Sequence, residues 1–146
     1  MMDPKTAMFN QGRADALGTQ RKAPELTGTQ IYALSETVPD FSAAVTHKNM
    51  LQRKAGFVCR SSAGRMVRLL QPYDSEVFPQ EPEQLPAQWG FAWSQNPADA
   101  LPFVQIASSP YNRGDVCSWD GGVYRSLIDG NVHSPEAYPQ GWEAVK

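Results

Sequence analysis

Pro82-Glu83-Gln84-Leu85-Pro86-Ala87-Gln88-Trp89 is answered 53 positions later by Pro135-Glu136-Ala137-Tyr138-Pro139-Gln140-Gly141-Trp142. The two stretches share Pro-Glu-x-x-Pro-x-x-Trp without a gap. Upstream, Gly56-Phe57-Val58-Cys59 faces Gly114-Asp115-Val116-Cys117 at an offset of 58. At that offset Gly64 meets Gly122 and Leu69 meets Leu127. Val67-Arg68 and Tyr124-Arg125 also agree, one position out of phase. The fall in offset gives the first copy about five extra residues, placed between Leu70 and Glu81. Agreement at Gly, Pro, Cys and Trp positions reads as a duplication, and an internal repeat sets the architecture before any motif does.

Each copy reads as strand, turn, strand, proline-rich loop and closing strand. Strands are expected over 56–60, 66–71 and 89–93, and again over 115–119, 123–128 and 142–145. Residues 61–64 form the first turn. Asp120-Gly121-Gly122 forms the second, because Asp-Gly and Gly-Gly supply the positive φ of a tight hairpin. The fold class is therefore mainly β: two tandem, small, three-stranded antiparallel modules over residues 50–96 and 102–146. An irregular, extended N-terminal arm (1–28) and a linker (29–49) precede them, with room for a short helix or strand over 29–36 and a short helix over 42–52 capped by Asp40 or Ser42. Units of this size bury little core. Trp89 with Phe57 or Met66, and Trp142 with Tyr124, are the expected cores, and the two units should pack on each other.

The 146 residues carry 13 basic and 15 acidic side chains, a net charge of −2. No basic run marks a nucleic-acid surface. No apolar stretch approaches the roughly 20 residues of a membrane span. Residues 1–22 lack the apolar centre of a signal peptide, so export by that route is not expected. Twelve prolines and eleven glycines suit short strands and tight turns. Cys59 and Cys117 are small buried strand residues, a bridged pair, or metal ligands; their spacing alone does not choose. His47 and His133 are scattered and neither cysteine sits in a motif that would activate it. Paired carboxylates need a cleft that such small units lack. The expectation is no enzyme, no catalytic residue, no cofactor and no metal.

Tyr111, Gly114-Asp115-Val116, Gly122-Val123-Tyr124, Pro135 and Trp142-Glu143 give the second copy an order of residues that resembles the chitin-binding modules of carbohydrate-binding families five and twelve. The resemblance covers about residues 108–146. Where members carry adjacent exposed aromatics the chain has Leu127, Ile128 and Asp129, and Gln105 stands where another aromatic is usual. The whole chain also resembles a group of phage and prophage proteins of gut Gram-positive bacteria. The phrases that carry this likeness are Ala55-Gly56-Phe57-Val58-Cys59, Leu69-Leu70-Gln71-Pro72-Tyr73-Asp74-Ser75, Ala87-Gln88-Trp89-Gly90-Phe91 and Tyr124-Arg125-Ser126-Leu127-Ile128-Asp129-Gly130-Asn131. Together these resemblances imply a virion protein, tail-associated or decorating, assembled in the bacterial cytoplasm. It would adhere to host or environmental glycans, or serve as a purely structural joining piece. Other virion proteins and further copies of the chain are the implied partners.

A pyranose has an apolar C–H face on which an indole or phenol ring stacks, while carboxylates and amides bond its hydroxyls. Trp119, Asp120, His133 and Tyr138 are the carbohydrate-binding candidates. Trp119 leads them, because Ser61 holds its place in the first copy and a residue required by the fold would be bulky in both. The alternative is that Trp119 packs against the other unit or a partner. Tyr73, Phe78 and Trp93 are candidate partner contacts, beside an acidic, proline-rich loop over 71–86.

Overall fold

The structure is a computed structural model that describes residues 17–146. Two three-stranded antiparallel sheets follow one another in the chain, each a simple meander. The first comprises β1 (Val58–Arg60), β2 (Met66–Leu69) and β3 (Trp89–Ala92); the second, β4 (Val116–Trp119), β5 (Gly122–Ser126) and β6 (Trp142–Val145). All six strands fall where the repeat places them. Helices α1 (Gly28–Ala33) and α2 (Phe41–His47) precede the first sheet. Among the described residues, no helix is long and apolar enough to cross a membrane.

The pairings show what was duplicated. Cys59 lies opposite Val67 and Leu69 opposite Trp89; Cys117 lies opposite Tyr124 and Ser126 opposite Trp142. Across β2 and β5 the structural offset is thus 57, so Leu69 corresponds to Ser126 and Leu70 to Leu127. The cause is the hairpin. Asp120 (φ 47°) and Gly121 (φ 81°) make a two-residue turn with both residues left-handed. In the first copy, Ser61 N–H donates to the Arg65 carbonyl across three residues that end in Gly64 (φ 92°). Gly64 therefore matches Gly121, not Gly122, and Gly122 matches Arg65. Of the five extra residues, one lies in this turn; only four belong to the loop.

The likeness also reaches upstream of the strands. Arg60 N–H donates to Pro39 O, and Ser118 N–H to Leu101 O. Asp40 and Pro102 then bridge β1 and β4 in parallel, which aligns Phe41 with Phe103. Phe41 meets Trp89 edge-on at 5.8 Å and 86°, and Phe103 meets Trp142 at 6.1 Å and 88°. Both indoles are buried, so the two closing tryptophans occupy equivalent settings. Cys59 and Cys117 are buried strand residues, each an unbridged thiol, and burial pushes both up in pKa, Cys117 to about 12.

Sheet one is covered on both faces. Cys59, Val67, Leu69 and Trp89 pack with Phe41, Ala44, Met50 and Tyr73; Val58 and Met66 pack with Ala23, Ile31, Tyr32 and Val38. Met66 is thus core, but on the face turned away from Trp89. Phe57 is only half-buried, beneath the Arg53 guanidinium at 4.2 Å. The expected extended arm is corrected over its described part. Residues 17–22 are helical and Ala23–Glu25 form a 3-10 turn. Arg68 holds that segment by donating to Ala23 O (2.7 Å) and Leu26 O (2.8 Å). The Gln20 carboxamide bonds both the N–H (2.9 Å) and the carbonyl (2.7 Å) of Val58 on the open edge of β1. In sheet two, main chain does the same task, as Val116 N–H donates to Ser94 O at 2.9 Å. Residues 1–16 of the expected arm lie outside the described residues.

The helix expected over 42–52 is α2, which ends at His47, followed by a 3-10 turn over Met50–Gln52. Asp40 stands at its N-terminus but makes no cap bond; its carboxylate accepts instead from Arg60 Nε at 3.0 Å. A stack of rings joins the sheets: Phe91 on Trp93 (5.8 Å), Trp93 on Tyr111 (4.2 Å) and Tyr111 on Phe103 (5.4 Å).

Candidate glycan-binding depression

Alternation along sheet two puts Cys117, Trp119, Tyr124 and Trp142 on one face. The inner end of this face closes over Tyr111 and Phe103. The outer end, at the hairpin, stays open. There Trp119 sits opposite Gly122, which offers no side chain, and the Tyr124 ring leans over that glycine, 3.4 Å from where a Cβ would stand. The returning loop closes the other side with Pro135 and Glu136. Trp119, Asp120, Tyr124, Pro135 and Glu136 line an open depression of about 610 Å³. Among the described residues, its walls carry two aromatic rings and two carboxylates, and no basic side chain.

Trp119 is half-buried and meets Phe103 edge-on at 6.0 Å and 79°. It therefore both braces the inner core and lines the opening. Asp120 is exposed at the turn. His133 and Tyr138 are placed apart from these two: their rings pair with each other at 5.6 Å and neither lines the depression. The His133 carbonyl instead accepts from Trp142 Nε1 at 2.8 Å. The Tyr138 ring lies against Gly141, 2.7 Å from where a Cβ would stand. The structure thus joins Trp119 and Asp120, leaves out His133 and Tyr138, and adds Tyr124, Pro135 and Glu136. The repeat had marked Pro135-Glu136 as loop structure, and Tyr124 as core.

Two of the three candidate partner aromatics are corrected. Tyr73 is buried in the chain's own core, where its hydroxyl accepts from Trp89 Nε1 at 3.0 Å. Trp93 is buried in the ring stack and donates to Ser109 O at 3.0 Å. Phe78 is 47% exposed, beside the still more exposed Val77. The sequence marked these rings by their type and their loop, and ring type does not tell a core anchor from a surface one.

A second groove, of about 510 Å³, is lined by Arg21, Lys48, Arg53 and Lys54, without an acidic side chain among the described residues. Its aromatic ring, Phe57, has the Arg53 guanidinium over one face and packs against the core of sheet one. Among the described residues, no three His, Cys, Asp or Glu side chains gather as metal ligands. No protein-family model, curated protein or solved structure matches the chain.

Proposed function

We propose that the protein is a non-enzymatic component of a phage particle whose second module adheres to glycans. The observation that supports this reading is the open depression between Trp119 and Tyr124, where ring faces and hydroxyl-bonding carboxylates converge. Rings supply the apolar platform for a pyranose, and Asp120 and Glu136 accept from its hydroxyls. The phage assignment rests on the sequence phrases alone.

A polysaccharide array probed with wild type and Trp119→Ala tests it. Binding of at least one polysaccharide by wild type, weakened about tenfold or more in the variant, is expected from loss of a stacking platform. Wild-type protein that binds no polysaccharide overturns the reading. A second reading, a joining protein without sugar binding, draws on Val77 and Phe78, which stand exposed on the loop that the first copy alone has lengthened. Under it, Val77→Ser/Phe78→Ser protein folds normally but is lost from purified particles; full incorporation would rule it out.

A further inference from the structure

The internal duplication supplies a comparison within the chain for the depression. Every residue lining it has a counterpart in module one: Ser61 for Trp119, Ser62 for Asp120, Val67 for Tyr124, Pro82 for Pro135 and Glu83 for Glu136. In module one that place is filled. Arg65, the counterpart of Gly122, is buried there. Its backbone N–H donates to Ser61 Oγ at 3.2 Å and its guanidinium to the Pro102 carbonyl at 2.7 Å. The same guanidinium lies 3.9 Å from Glu83. Module two keeps the glutamate and adds Asp120, but Gly122 removes the cation. Two ring-bearing residues stand where Ser61 and Val67 were. The outcome is a recess with two carboxylates, two aromatic walls and, among the described residues, no positive charge of its own.

We infer that the depression takes a cationic group, a protonated amine or alkylammonium carried by the glycan, in the place where module one seats the Arg65 guanidinium. The inference rests on the glycan reading and names the class of sugar within it. Carboxylates attract such a group, and the faces of indole and phenol rings favour a cation through their quadrupoles. An acidic recess also disfavours phosphate- or carboxylate-bearing polymers by like-charge repulsion.

The test is calorimetric titration, at pH 5.5 and low salt, of a β-1,4-linked glucosamine hexamer and its fully N-acetylated counterpart. The full chain is compared with Asp120→Asn/Glu136→Gln, Trp119→Ala and Gly122→Arg. The free amine should bind about tenfold tighter than the acetylated form, and salt should erode that margin. The double amide variant should bring the two ligands level. Gly122→Arg should refill the recess from within and abolish binding of both; its circular dichroism and melting curve would report whether it still folds. Equal wild-type affinities for the two hexamers, both lost in Trp119→Ala, would overturn the cation inference and leave the glycan reading standing. No binding of either hexamer, with the polysaccharide array also blank, would remove both. Binding of free arginine amide at this site without either hexamer would make the occupant a protein side chain and overturn the inference.

Discussion

Trp89 is wholly buried, and its indole N–H has one partner, the Tyr73 hydroxyl. Tyr73→Phe keeps the ring and its edge contact at 6.1 Å but strands that donor. An unpaired buried donor costs about 1–3 kcal/mol, so the urea midpoint should fall by that equivalent while the slope is unchanged. Asp115 makes the opposite kind of compromise. Its carboxylate accepts from Asn112 N–H at 2.8 Å, yet burial dominates and raises its pKa from 3.8 to about 6. A carboxyl that holds its proton more tightly when folded adds stability at low pH and loses it as pH rises between those values. Asp115→Asn, which cannot ionise, should therefore gain on wild type as pH rises from 4 to 7, with little difference below pH 4; melting curves across that window check it. Trp119 should matter less to the fold. Its edge contact with Phe103 is worth about 1 kcal/mol, so the loss of binding expected of Trp119→Ala under the proposed function is separable from unfolding.

At the scale of elements, two glycines act for different reasons. Gly121 has φ 81° and open space around it, so Gly121→Ala should cost only the backbone strain of a left-handed residue, about 1–2 kcal/mol. Gly28 opens α1 against the main chain of Trp93, and an added Cβ would collide with the Trp93 carbonyl oxygen. Gly28→Ala should cost more, about 3 kcal/mol, because backbone must give way; denaturant melts of the two variants side by side would rank them. The strands and hairpins were legible in the sequence because Gly, Pro and Trp punctuate each copy at nearly fixed spacing. The register slip was not, since a two-residue and a three-residue turn both show a glycine near the right place. The start of α1 is legible in the sequence, which leaves helix or strand open over 29–36: Thr27-Gly28-Thr29-Gln30 is a capping box, with Thr27 Oγ1 accepting from Gln30 N–H and Thr27 N–H donating to the Gln30 side chain. The docked segment over 17–26 had no periodic signal to read. Ala23 and Leu26 are single contacts made by a chain that bends at every few residues. The depression was half legible for a like reason. Trp119 and Asp120 adjoin a turn that sequence locates, whereas Glu136 arrives from a loop whose return only the fold defines.

On the scale of the whole molecule, neither module closes without the other. The stack from Phe91 through Trp93 and Tyr111 to Phe103 takes two rings from each side of the junction. Arg65 adds a bond from module one to the Pro102 carbonyl of module two. The chain should accordingly unfold in one transition, with Cys59 and Cys117 becoming reactive together. Trp93→Ala, which empties the centre of the stack, should cost about 3–5 kcal/mol. It should also uncouple the halves, exposing Cys117 at lower denaturant than Cys59, since two hydrophobic clusters pack on sheet one and one on sheet two. Thiol labelling against urea, read residue by residue, checks that order.

Gln20 carries a consequence of a different kind. A strand at the margin of a sheet is a template on which a foreign chain can lay itself, and proteins commonly blunt such margins. Here a single carboxamide occupies both hydrogen-bonding groups of Val58 and so passes for the neighbour that sheet one lacks. The guard is a side chain of the helical segment 17–22, not a covalent part of the ladder, so cleavage just after residue 22 would release it while leaving both sheets intact. What remained would be a fragment with a bare docking edge, prone to self-templated fibrils.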